Sequence, residues 1–149
     1  MRVVLQRVTQ GDVQIDGKIV GKTGPGYVAL VGFTHTDGEQ QIDELINKII
    51  HLRVFSDEEG AMNRSLLDIG GSILSISQFT LYASTKKGRR PSFVDAMKPE
   101  QATKLYDLFN QKLREQNIPV ETGVFGADMK VTLTNDGPVT ILLESRENE

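Results

Sequence analysis

Three short stretches carry residue types that could do chemistry: SQFTL at Ser77 to Leu81, TKKGRRPS at Thr85 to Ser92, and NDGPVT at Asn135 to Thr140. Alternation from Ile73 to Leu81 puts Leu74, Ile76, Gln78 and Thr80 on one face, with Ser75, Ser77, Phe79 and Leu81 on the other. Both faces then mix polar with apolar side chains in a strand that reads as central. Either the hydroxyls bond to backbone groups, or the strand's end offers hydroxyls and N–H groups to a substrate in the manner of an oxyanion hole. The second stretch sets Lys86, Lys87, Arg89 and Arg90 around Gly88. It reads as a solvated loop or as a phosphate-backbone contact, since each neutralised phosphate releases counterions. The third is a corner. Asn, Asp and Gly tolerate the positive φ of a tight hairpin, but Pro138 removes an N–H from the returning strand and makes Gly137–Pro138 a bond that can be cis. Locally this is an edge-strand turn; the alternative is a rigid backbone device that touches a ligand.

Other chemistries find little support. The two histidines, His35 at a helix entrance and His51 at a helix end, have neither metal-site spacing nor a recognisable partner, so structural roles are expected. No Gly-x-Ser-x-Gly elbow is present for a Ser-His-Asp hydrolase, and the acidic residues are scattered over turns and helix faces. GKIVGKT at 17–23 has one residue too few between its glycines for a P-loop, and it leads into a Gly-Pro-Gly turn and a strand. With no cysteine there is no disulfide, thiolate nucleophile or Cys-based zinc site, and no metal or cofactor is expected. The net charge of −3 argues against indiscriminate coating of nucleic acid while leaving room for a local basic patch.

The elements that position these stretches follow from periodicity. A length of 149 residues suits one domain. MRVVLQRV reads as a strand without the apolar core of a signal peptide. Asp16-Gly17-Lys18 is a hairpin signal, and Tyr27 to Phe33 looks like a strand buried on both faces. Thr36 to Glu39 resembles a capping box, followed by Ile42, Leu45, Ile46, Ile49 and Ile50 at helical spacing. After the Asp57 to Gly60 turn, Gly70-Gly71 leads into a central strand from Ser72 to Leu81. Pro99 opens a second amphipathic helix with Ala102, Leu105, Tyr106, Phe109 and Leu113. Strands return on both sides of the corner, with Met129, Val131 and Leu133 before it and Val139, Ile141 and Leu143 after it. The order points to a single α+β domain over residues 1–144, two main helices packed on a mixed or antiparallel sheet or partial β-barrel. A polar, frayed tail is expected over 145–149. No apolar run is long enough to span a bilayer, so a cytoplasmic protein without membrane contact is expected.

Taken in order, MRVVLQRV, MNRSLLDIGG (62–71), SQFTLYA (77–83), KGRRPSF (87–93), ETGVFGADM (121–129) and NDGPVT (135–140) closely resemble the D-aminoacyl-tRNA deacylases, also called D-tyrosyl-tRNA deacylases. SQFT and GPVT are that family's signature motifs and both are intact. The resemblance implies a homodimeric cytosolic enzyme that hydrolyses the ester between a D-amino acid and the 3′-terminal adenosine of tRNA, and also removes mischarged glycine. It implies a pocket combining SQFT of one chain, Ser77, Gln78, Phe79 and Thr80, with GPVT of the other. Gly137-Pro138 would be cis, with carbonyls that exclude an L side chain, accompanied by Thr140 and Met129 and held by Arg7. Lys86, Lys87, Arg89 and Arg90 would meet tRNA.

Spontaneous hydrolysis of such an ester is already appreciable, so modest oxyanion stabilisation suffices and no catalytic histidine is required. Two other classes remain open. A general esterase would act on small esters without tRNA. A non-catalytic RNA-binding module would use the basic loop, although aromatics at 6% and the absence of tryptophan argue against a stacking platform.

Overall fold

The computed structural model of the chain describes residues 1–146. Strand β1 (Arg2–Ile15) turns back into β2 (Lys18–Thr23) through Asp16 and Gly17, at φ 50° and 79°, the left-handed pair that a two-residue hairpin requires. Then follow β3 (Gly26–Gly32), α1 (Glu39–His51), the small hairpin β4 (Phe55–Ser56) and β5 (Met62–Arg64), and the short α2 (Leu66–Ile69). Strand β6 (Ser72–Ser77) ends in a 3₁₀ turn, Phe79–Tyr82, and α3 (Pro99–Glu115), β7 (Val120–Thr122) and β8 (Lys130–Glu144) complete the order.

The length of β1 organises the sheet. One edge pairs antiparallel with β3 through Arg2 to Val8 and with β2 through Gly11 to Ile15, while the other edge pairs with β8. Strand β6 lies parallel between β3 and β7. Strands β2 and β7 approach so closely that a Cβ at Gly21 would lie 2.8 Å from the Thr122 carbonyl oxygen, and Lys22 N–H donates to Glu121 Oε1 at 3.3 Å. The result is a mixed sheet nearly closed into a barrel, with the two long helices outside it. This is the α+β architecture expected from the sequence.

Burial follows the two periodicities. Ile42, Leu45, Ile46, Ile49 and Ile50 of α1 and Ala102, Tyr106, Phe109 and Leu113 of α3 join Val3, Leu5, Tyr27, Ala29, Val31 and Ile73 in one large core. The opposite strand faces enclose a smaller core of Val8, Val13, Val28, Leu74 and Ile76, against which Leu30, Met129 and Leu133 pack. Strands β3 and β6 are therefore covered on both sides.

Local details depart from expectation. The capping box shifts: Gly38 precedes α1 and its N–H donates to Gln41 Oε1 at 2.8 Å, because Asp37 is taken by the Met1 ammonium and the Thr34 N–H, each at 2.7 Å. A buried ammonium needs a charged partner, and that need overrides a local cap. The tail is tied at its start, with Ser145 N–H donating to the Met1 carbonyl at 2.9 Å and Arg146 N–H to Glu44 at 3.0 Å. Residues 147–149 lie outside the described residues.

Candidate active site

The strand expected to run to Leu81 stops at Ser77. Gln78 N–H still donates to the Val31 carbonyl at 2.7 Å, but the chain then tightens, with Leu81 N–H donating to Gln78 O at 3.2 Å and Ala83 N–H to Thr80 O at 3.1 Å. Gly32 makes room for this turn, since a Cβ there would sit 2.8 Å from the Gln78 carbonyl oxygen. Alternation ends with the strand, so Phe79 and Thr80 both become exposed, Phe79 at 55%. The first N–H groups of a helical turn have no partner within it, which makes Phe79 and Thr80 a pair of backbone donors. The Thr80 hydroxyl accepts from Gln78 Nε2 at 2.5 Å, an amide that cannot act as a base. Both histidines are engaged elsewhere, His35 Nε2 with the Val94 carbonyl at 2.6 Å and His51 Nδ1 with the Asn47 carbonyl at 2.9 Å.

Beside the turn lies a cavity of about 230 Å³, walled by Ile76, Ser77, Gln78 and Phe79 and, opposite, by Phe125, Gly126, Ala127, Met129 and Val131. It is smaller than sites that enclose a drug-sized ligand, and suits one small moiety of a larger molecule. Helix α3 braces both walls. Tyr106 packs on Phe125 with ring centroids 6.1 Å apart, and its hydroxyl donates to the Ser75 carbonyl at 2.7 Å. Of this lining, Ile76 and Val131 were expected only as strand residues, and Phe125, Gly126 and Ala127 were given no role from their own chemistry. The Val124 to Ala127 segment carries no charge, nucleophile or periodicity that would have marked it.

The Asn-Asp-Gly-Pro corner is not a hairpin. Both flanks belong to β8 and pair with β1, Asn135 opposite Val8 and Thr140 opposite Gln6, so Asp136 to Val139 bulge outward across from Arg7 alone. Missing ladder bonds are replaced by side chains, which is why a proline is tolerated here. Arg7, only 9% exposed, donates from Nε to the Asp136 carbonyl at 3.1 Å and from Nη1 to the Val54 carbonyl at 2.6 Å. Thr140 Oγ1 donates to Gln6 Oε1 at 2.6 Å, Asn135 Nδ2 donates to the same oxygen at 3.0 Å, and Val139 N–H donates to Asn135 Oδ1 at 3.3 Å. The Gly137–Pro138 bond is cis and Gly137 has φ 119°. Gln6 and Asn135 were legible only as strand and turn formers. Beneath the bulge Arg7 pairs across the ladder with Tyr27, whose phenol is pushed up by burial against the opposing charge of Arg7.

The expected site residues thus fall into three groups. Ser77, Gln78, Phe79 and Met129 meet at the cavity, with Thr80 next in the turn. Gly137 and Pro138 lie in the bulge, with Arg7 bonded to it from β1 and Thr140 at its end, and no residue from 135 to 140 lines that cavity. Ser77 pairs with Val31, and Val31 with Val3, four residues from Arg7. The two motifs of one chain are therefore about 13 Å apart along the strands and about 14 Å across them. The third group is the basic loop, closed by Ser84 and Ser92, each N–H donating to the other's carbonyl at 2.7 and 2.8 Å. Lys86, Lys87, Arg89 and Arg90 are exposed, and no ion pair among the described residues involves them. No helix among the described residues is long and apolar enough to cross a membrane.

Known proteins are similar to this chain over almost its whole length. The chain is 59% identical over 144 residues to the D-aminoacyl-tRNA deacylase of Limosilactobacillus reuteri, covering 97% of this chain and 99% of that one. It is 55% identical over 147 residues to the D-aminoacyl-tRNA deacylase of Bacillus velezensis, covering 99% and 100%. A solved structure named c-Myc DNA Unwinding Element Binding Protein superposes with a TM-score of 0.93 at 41% identity, covering 98% of this chain and 99% of that one. Because the sequence model of the D-Tyr-tRNA(Tyr) deacylases also matches residues 4–144, spanning the SQFT turn, the basic loop and the Gly-Pro bulge, the chain belongs to that family of hydrolases.

Proposed function

We propose that this enzyme removes D-amino acids, and mischarged glycine, from tRNA in the cytoplasm by hydrolysing the ester to the 3′-terminal adenosine. The observation that carries the reading is the turn after β6, where two backbone donors sit beside a small cavity and the Thr80 hydroxyl is bonded to an amide. Such a site suits stabilisation of an oxyanion, with no activated side-chain nucleophile. Water attacks the ester carbonyl, the Phe79 and Thr80 N–H groups hold the developing negative oxygen, and the acyl C–O bond breaks. The 2′-hydroxyl of the terminal ribose helps activate the water, and the departing 3′-oxygen takes up a proton.

Selectivity is assigned to the bulge of a second copy. The Gly137 and Pro138 carbonyls hold the same positions whatever the amino acid, so they exclude an L side chain at the α-carbon while passing a D side chain or hydrogen. Two observations favour a homodimer that brings this bulge to the cavity. The two motifs are too far apart within one chain, and β8 leaves Val131 and Leu142 exposed at 36% and 58%. Lys86, Lys87, Arg89 and Arg90 then meet phosphates of the tRNA.

The test follows amino-acid release from D-Tyr-tRNA, L-Tyr-tRNA and a free amino-acid ester. Hydrolysis of the D form alone is expected; hydrolysis of all three would mean a general esterase. The name of the 41%-identical structure, a DNA-unwinding-element-binding protein, favours a second reading, a nucleic-acid-binding module without catalysis. Binding without release would establish it.

Thr80→Ala is expected to retain kcat on D-Tyr-tRNA within about ten-fold, since truncating the side chain leaves the backbone donors in place. Near-complete loss of single-turnover release, with the circular dichroism spectrum unchanged, would make Thr80 a nucleophile after all.

A further inference from the structure

The chain has few aromatics, yet two of them stand together in solvent at the edge of the cavity. Phe79 and Phe93 are 55% and 37% exposed, with ring centroids 5.1 Å apart and planes at 69°. An edge-to-face pair leaves a ring face uncovered. Phe79 lines the cavity, and Phe93 follows Ser92, the residue that closes the basic loop against Ser84. A continuous track therefore runs from cavity to Phe79, to Phe93, to four cations without carboxylate partners among the described residues.

The segment bearing Phe93 is also held in place. Thr34 Oγ1 donates to the Asp95 carbonyl at 2.5 Å, His35 Nε2 meets the Val94 carbonyl at 2.6 Å, Ala96 N–H donates to the Phe93 carbonyl at 3.1 Å and Met97 N–H to the Phe33 carbonyl at 3.0 Å. A fixed aromatic beside unpaired positive charge is the combination that single-stranded nucleic acid uses, bases on the rings and phosphates on the cations. We infer that Phe93, backed by Phe79, is a stacking site for an unpaired base of the tRNA acceptor strand, just 5′ of the terminal adenosine. The inference rests on the functional reading above. The low aromatic content misleads here because stacking needs one well-placed ring, not many.

The test compares the wild type with Phe93→Ala and Phe93→Trp on D-Tyr-tRNA and on 3′-(D-tyrosyl)adenosine, which lacks every nucleotide upstream. Phe93→Ala is expected to raise KM for the tRNA by about 5- to 150-fold, the range that one base stack supplies, with kcat kept. The small ester should react unchanged, and Phe93→Trp should restore KM. An unchanged KM, or equal losses on both substrates, overturns the site. So does a shift of Phe93→Ala toward a smaller species in sedimentation, which would mean that a second copy of the chain covers the ring. If the wild type hydrolyses neither ester, the functional reading falls, and anisotropy of an uncharged CCA-ended microhelix decides the stacking site separately. Binding weakened at least five-fold by Phe93→Ala keeps it, and equal binding ends it.

Discussion

Gly137→Ala is expected to make the enzyme hydrolyse L-aminoacyl-tRNA, raising the L-to-D ratio of kcat/KM by about ten-fold or more, equivalent to about 1.4 kcal/mol of lost discrimination. At φ 119° an L residue is strained, and its Cβ would lie 2.8 Å from Arg7 Nη2 and 3.0 Å from Val139 Cγ2. Arg7 is buried and anchored on Val54, so the bulge must give way rather than the guanidinium. The Gly137 carbonyl moves with it. Such strain costs about 1–3 kcal/mol, which should appear as a lower urea midpoint. Gly17→Ala is the control. It introduces a positive-φ alanine at 79° with nothing within 4 Å, so it should lose stability without changing chiral selectivity. A folded Gly137→Ala variant that spares L-Tyr-tRNA as completely as the wild type would sink the assignment of selectivity to this carbonyl.

The contrast between those two glycines shows what the sequence could convey. Asp16-Gly17 is read correctly because a two-residue hairpin is a local event, fixed by backbone preferences of the residues in it. Asn135 to Pro138 has the same local vocabulary but a different outcome. Its partner is a side chain 129 residues away in sequence, Arg7 bonded to Asp136, and no local rule carries that information. The long helices were legible for the reason that the first hairpin was, since their stripes repeat at short range and face one core. The end of β6 was not, because Gly32 on the neighbouring strand creates the space into which the chain turns. Within the cavity, the SQFT wall was legible as a mixed polar strand end. On the opposite wall only Met129 was expected, through the family resemblance; Phe125 was not, since packing on Tyr106 gives it its place. The motifs that marked the family were legible throughout, and the contacts that shape them were not.

Arg7→Ala is the second large effect expected, and it separates positioning from simple stability. The guanidinium spans two carbonyls, those of Asp136 and Val54, and lies 3.5 Å from Asp136 Oδ2. Truncation removes two charge-assisted bonds and leaves a buried gap, a loss of about 2–4 kcal/mol against a typical domain stability of about 5–15 kcal/mol. The variant should therefore still fold at room temperature. A residue that mattered only for stability would lower release from D- and L-Tyr-tRNA together, through the fraction folded. Because Arg7 holds the bulge, L-Tyr-tRNA hydrolysis is expected to rise while kcat on D-Tyr-tRNA stays within a few-fold. Arg7→Lys should recover only part of the selectivity, since a single ammonium lacks the planar fork that reaches both carbonyls. The double variant Arg7→Ala with Gly137→Ala should be no more permissive than the more permissive single variant, because both act by releasing one loop. Additive gains in L hydrolysis would show instead that Arg7 and Gly137 restrain the substrate independently.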